Sequence, residues 1–348
     1  MVRLPEAGCN ETCARVVVEP ARRGLIYRPR SLGARMGQRR IGQERLRLER
    51  ANESRRSSLN EIEALIDWLP IAQTLSGIYA AAKGEPAWPP LALFKALLIA
   101  VWYDLSDVKL AEALEDRASF RRFCGFSRDE ATPERTAFVR FRRELVARGL
   151  DQALFEAVTT ALKARAVTIK TGTIVDATVI RSASEADVDA RWSGHRSRRA
   201  IHGYKAHIGA DADTAMVEKL DVTPGNVHDG RAGGGALPEH PGDVYADSAY
   251  RGEVFGSAVR ARGGTPRIAL IAMWGRPGDD TLLKLRGWND SVHRVRCRVE
   301  KIFGTWKRSY GLQRMRWRGL AKAKLQVRLT AIAYNLRRSL RLIAPKHA

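Results

Sequence analysis

"TGTIVDATVI", residues 171–180, divides the chain. Before it, apolar residues recur at helical spacing. From Thr171 onward they are β-branched and nearly continuous, the pattern of a buried strand. That strand carries one charge, Asp176. A charged side chain in a buried strand is costly unless it is paired or binds a metal.

Downstream, "GYKAHIGAD" (203–211) and "AMVEKLDVTPG" (215–225) share the turn residues "ADADT" and read as a hairpin. "GDVYADSAY" (242–250) and "PRIALIA" (266–272) are two more short strands with helix-compatible stretches between them. "DSVHRVRCRVEKIFGTWKR" (290–308) reads as one long amphipathic helix and "GLAKAKLQVRLTAIAYNLRRSL" (319–340) as another. Three antiparallel strands followed by alternating strand and helix predict an α/β domain with a mixed sheet flanked by helices.

Upstream, residues 59–147 have a helical pattern. "LNEIEALIDWLP" places apolar residues at 59, 62, 65, 66 and 69. Pro89 and Pro90 open the apolar helix 91–102. Ser106 is placed to cap 107–116, and Ser119 to cap a short helix ending at Gly125. Thr132, Pro133 and Glu134 form the start of a helix over 135–146. Residues 105–123 resemble a helix-turn-helix. The expected organisation is an extension over 1–35 that is disordered or lies upstream of a natural start at Met36, a helical DNA-binding and dimerisation domain over 36–150, a catalytic domain over 168–310 and a basic helical segment over 311–348. The first 35 residues have no helical or strand period, whereas residues 36–53 are helix-like and charge-rich.

Lys and Arg number 60 against 38 Asp and Glu, a formal net charge of +22. That imbalance points to a polyanionic partner, nucleic acid first. The longest apolar run, 91–102, is about a dozen residues against the roughly twenty a membrane span needs. No secretory pattern opens the chain, so a cytoplasmic, nucleoid-associated protein is expected, with no membrane partner. Cys9, Cys13, Cys124 and Cys297 have no metal-site spacing and read as reduced thiols.

Asp247 repeats the oddity of Asp176: it follows the apolar strand residues 244–246 directly, and strand C-termini are where α/β sheets place ligand groups. The third acid, Glu300, stands among Arg294, Arg296, Arg298, Lys301, Lys307 and Arg308. At about 100° per residue, His293, Arg296, Glu300 and Lys307 share one stripe beside the apolar face of an unbroken helix. Three carboxylates beside a row of cations suit two divalent ions, Mg²⁺ or Mn²⁺ in its place, carrying out phosphoryl transfer on a DNA backbone. His202 and His207 lie on opposite sides of one strand and do not pair as metal ligands. His228 and Asp229 read as shaping a loop. Trp274 and Trp288 read as packing residues, the alternative being a stack on a flipped base.

In order, "TGTIVDATVI", "HGYKAHIGAD", "NVHDG", "YADSAYRG" and "RVRCRVEKIFGTWKR" resemble bacterial insertion-sequence transposases with a DDE (Asp-Asp-Glu) triad, within the insertion sequence four superfamily and nearest its insertion sequence five group. The resemblance covers about residues 36–340. It implies a ribonuclease-H-like catalytic fold with Asp176, Asp247 and Glu300 as the catalytic and metal-binding triad. It also implies binding to terminal inverted repeats and target DNA as a homodimer. In the helix signature Arg296, Glu300 and Lys307 fit, and His293 stands where the family has Tyr. His293, Arg296, Lys307, Tyr250 and Lys205 are the expected DNA contacts. A nuclease without strand transfer and a catalytically dead DNA-binding relic are the alternatives.

Overall fold

The computed structural model describes residues 39, 41–42, 58–78, 86–165, 171–195, 198–272 and 279–343. The expected extension over 1–35 and nearly all of the basic segment 36–56 lie outside them. Seven helices come first: α1 (Ser58–Leu65), α2 (Leu69–Leu75), α3 (Pro90–Trp102), α4 (Asp107–Asp116), α5 (Ala118–Cys124), α6 (Arg135–Ala147) and α7 (Leu150–Arg165). Then come β1 (Gly172–Arg181), β2 (Arg191–His195), β3 (Arg198–Asp211), β4 (Val217–Pro224), α8 (Asp229–Ala232), β5 (Asp243–Ala246), α9 (Glu253–Arg260) and β6 (Thr265–Ile268). Three helices close the chain: α10 (Asp279–Arg296), α11 (Arg298–Arg308) and α12 (Leu320–Ile343).

The local rules hold at most helix ends. Pro90 is the first residue of α3. The Ser106 hydroxyl accepts the Lys109 amide at the start of α4. Gly125, at φ 90°, ends α5 in the left-handed region that glycine tolerates best. Two expected caps are not used. Helix α5 starts at Ala118 with no side-chain cap, so Ser119 is inside it. The residue before α6 is Glu134, also without a cap bond, and Thr132 and Pro133 are buried.

The sheet runs β2-β3-β1-β5-β6, with β4 also on β3. Strands β1, β3 and β4 are antiparallel, and β5 and β6 continue parallel to β1. This mixed sheet under helices is the expected ribonuclease-H-like architecture. The hairpin turns as "ADADT" implies: Asp211 Oδ1 accepts the amides of Asp213 and Thr214, an Asx-type turn. Strand β2 was not anticipated. It is five residues long and pairs only with the first part of β3. A short edge strand containing Arg, Ser, Gly and His has little apolar periodicity to betray it.

Helix α12 joins the helical part to the sheet. It packs on α7, α3 and α1 and on β4 and β3. Its buried residues belong to one core with Phe94, Leu98 and Phe155 of the helical part and Ile174, Ile208 and Leu220 of the sheet. Three hydrogen bonds fix its seat. Trp102 Nε1 donates to the Ala333 carbonyl at 2.9 Å. Asn335, fully buried, accepts the Val217 amide at 2.9 Å and donates to the Val217 carbonyl at 2.7 Å. Those backbone groups would otherwise go unpaired at a sheet edge. The segment 311–348 thus enters the core itself, and α7 carries the helical part beyond residue 150.

The helix-turn-helix-like stretch has a surface of mixed sign. Helix α4 exposes Lys109 but also Glu112, Glu115 and Asp116. Arg121 of α5 is buried, its guanidinium on the carbonyls of Ser127 and Leu114. The basic outer face belongs to α6, which exposes Arg135, Arg140 and Arg143. Among the described residues, no helix is long and apolar enough to cross a membrane.

Replacing Asn335 with Ala strands a buried N–H and a buried C=O on Val217. The expected loss of stability is about 2 kcal/mol or more, read by urea denaturation. A loss below about 0.5 kcal/mol, the size of an ordinary surface substitution, would mean that the β4 edge finds other partners.

Candidate active site

Strands β1 and β5 run side by side in the same direction, with Gly172 opposite Asp243 and Ile174 opposite Tyr245. Two residues further on come Asp176, in the middle of β1, and Asp247, just past the end of β5. The parallel register therefore brings the first two acids side by side. Each has one oxygen tied to backbone. Asp176 Oδ1 accepts the Ala177 amide at 2.8 Å. Asp247 Oδ1 accepts the Ala249 amide at 2.9 Å and caps the short turn Ser248–Tyr250.

Burial pushes the Asp176 carboxyl up to about 6, against the pull of Arg296 and of the Ala177 amide, and the negative charges of Asp247 and Asp229 push the same way. Desolvation outweighs the ion pair here, as expected where a charge leaves water. The acid beyond the expected pair is Asp229, the first residue of α8. Its neighbour His228 accepts the Gly230 amide, the loop-shaping role read from the sequence. Asp229 does more than shape that loop, because its charge reaches Asp176, Tyr250 and His207. The motif "NVHDG" was the available signal for it.

The expected third acid is not with the other two. Glu300 is exposed. Among the described residues, no group of three or more His, Cys, Asp or Glu is close enough to hold a metal ion. The helix expected over 290–308 is two, α10 and α11, joined at Cys297 in a helical conformation, with the Glu300 amide bonding back three residues to the Cys297 carbonyl. Arg296, the last residue of α10, faces the acids instead: its Nη1 lies 2.8 Å from Asp176 Oδ2, with both side chains mostly buried.

The expected DNA contacts divide. His293 is exposed on α10 and Lys307 is half-buried on α11. Lys307 lines a groove of about 450 Å³ with Arg181 and Arg308 over Phe303 and Val179. Lys205 is turned inward, its Nζ on Asp229 Oδ1 at 2.9 Å and the Val227 carbonyl at 3.0 Å. Tyr250 is fully buried behind the acids, against Phe255. A Cβ on Gly233 would stand 2.6 Å from its ring, so that position has room only for glycine. The Tyr250 hydroxyl has no hydrogen-bond partner among the described residues. Burial, then the charges of Asp176, Asp229 and Asp247, holds it well above the usual phenol range.

The two histidines part as expected. His202 meets Ser182 and stacks on Trp192. His207 is buried against Thr223 at 2.9 Å, and desolvation pushes it down to about 4. Trp288 packs, donating to the Ile268 carbonyl at 2.9 Å. Trp274 lies outside the described residues. Cys124 and Cys297 are free thiols.

These residues fit a hard divalent cation at Asp176 and Asp247. Mg²⁺ is usually held by one or two carboxylates plus substrate phosphate. Asp247 has no ion-pair partner among the described residues, and the Tyr250 hydroxyl is an unpaired polar atom beside both acids. The Arg296 guanidinium already supplies positive charge at Asp176 Oδ2.

Residues 168–336, which include both paired acids, match a transposase DDE domain. Residues 46–144 match a transposase domain (DUF772) that spans α1 to α6 up to Glu144. Domains of this DDE class depend in general on a divalent metal.

Without metal, the Asp176 carboxyl is expected to titrate near 6, followed by carboxyl carbon shifts against pH. A folded value above the ordinary 3.8 means that protonation favours the folded state. This group therefore adds stability as pH falls through 6 towards 3.8, and adds none at neutral pH. Titration near 4 would place the carboxyl in water.

Proposed function

The chain carries both domains of a DDE transposase of insertion sequences, and on that premise we propose that it mobilises an element of the insertion sequence five group in a bacterial cytoplasm, at the nucleoid. It binds the terminal inverted repeats as a homodimer, cleaves DNA at the element ends and joins them to target DNA. The observation that carries this reading is the parallel β1–β5 pairing that sets Asp176 beside Asp247 inside the DDE domain.

Asp176 and Asp247 are the residues that hold the ion, Mg²⁺ with Mn²⁺ as substitute. A divalent ion there supplies activation of the attacking oxygen and stabilisation of the leaving oxygen in an in-line displacement. The protein keeps both carboxylates in place through the Ala177 and Ala249 amides. Glu300 is assigned as the third ligand from its place in the motif order. Lys307 and His293 hold backbone phosphates, which bind Lys and other donors without reading sequence. A nuclease lacking strand transfer would share every one of these residues. Incubating cut ends with a target plasmid separates the two, because only a transposase yields joined product.

Asp176→Asn and Asp247→Asn keep nearly the same shape and each remove one ligand charge. Each is expected to lower cleavage of terminal-repeat DNA by several orders of magnitude while end binding in EDTA stays intact. Glu300→Gln is the informative third variant. Cleavage above about a tenth of wild type, under about 1.4 kcal/mol of barrier, would remove Glu300 from the site.

End recognition is assigned to the helical domain and to the basic face of α6. Arg140→Ala with Arg143→Ala in the full chain should weaken binding to the terminal repeats in a gel-shift titration. Unchanged affinity would place the recognition surface elsewhere, the basic segment 36–56 being next. The full chain is needed because α12 completes the core of the helical part.

A further inference from the structure

Asp176, Asp229 and Asp247 share one electrostatic field, and two cations answer them from inside the protein. Lys205 is bound to Asp229 and Arg296 to Asp176. Asp247 has no cation among the described residues. With both internal cations the cluster carries one net negative charge. With Arg296 removed it carries two, the charge that one divalent ion neutralises. Lys205 is the poorer candidate to leave, because the Val227 carbonyl also holds it.

The atoms point the same way. Asp176 Oδ1 is engaged by the Ala177 amide, so Oδ2 is the freer oxygen. The Arg296 Nη1 stands on Oδ2 at 2.8 Å. An ion at Asp176 and a guanidinium at Asp176 therefore want the same lone pairs. Arg296 is the last residue of α10.

We propose that Arg296 is an exchangeable internal counter-ion, a positioning residue that holds Asp176 Oδ2 in the metal-free protein and gives that oxygen up when a divalent ion binds. The displaced guanidinium then lies beside the acids with its charge free for a DNA phosphate. Metal loading and DNA binding are thereby coupled, and each ligand favours the other by the same factor. An exposed arginine serving DNA alone would have no such linkage. This inference rests on the metal site assigned above to Asp176 and Asp247.

The test is Mn²⁺ binding to the DNA-free full chain, read from the electron paramagnetic resonance signal of free Mn²⁺. Arg296→Gln is expected to tighten Mn²⁺ binding at least about fivefold, the low end of ordinary coupling between two sites. Unchanged affinity would show that Arg296 does not compete. Weaker affinity would show that it organises Asp176 for the metal, and either result overturns the proposal. Asp247→Asn is the control for the underlying site: if it binds Mn²⁺ like the wild type, the metal site itself has been misplaced. Should Arg296→Gln fail to fold, the wild type answers alone. Its DNA affinity is measured against salt in EDTA and in Ca²⁺. The released arginine should steepen the slope by about one in Ca²⁺, and equal slopes would overturn the exchange.

Discussion

The burial of α12 on two sides is the constraint from which the rest of the structure follows. On one side Trp102 of α3 donates to its Ala333 carbonyl, and on the other Asn335 closes the edge of β4 at Val217. All three bonds are buried, so none can be lost without leaving an unpaired polar group. The helical part, the sheet and the end of the chain therefore share one core. The exposed arginines of α6 and the acid of β1 are held in that one framework.

The same framework makes Asp176 unstable as a charge. Asp176 sits mostly buried in the middle of β1, next to Asp247 and within reach of Asp229. Like charges placed together in a poorly solvated site raise each other's affinity for any cation, proton included. Lys205 and Arg296 relieve part of that repulsion from within. Tyr250 closes the site from behind, and its unpaired hydroxyl marks the volume as polar yet incompletely satisfied.

The charge of +22 and the order of the motifs point to a DNA-acting enzyme before any fold is known. Asp176 was legible because it is the only charge in an apolar strand, and Asp247 because it ends another. Asp229 and Tyr250 were harder to place. A strand-loop acid and an aromatic after a strand have many roles, and only their convergence on Asp176 distinguishes them. Lys205 was legible as a basic residue on a strand, but its inward turn to Asp229 depends on a loop more than twenty residues away.

Strand and helix periods, the Ser106 cap, the Gly125 stop and the "ADADT" turn are local properties, settled within a few residues by backbone sterics and side-chain shape. The sequence alone determined these, and with them the mixed sheet. Tertiary structure alone decided which cation answers which acid, and where Glu300 points. Whether Arg296 or Glu300 meets Asp176 depends on how α10 ends against β1. That is a packing outcome, and no local pattern in the helix encodes it.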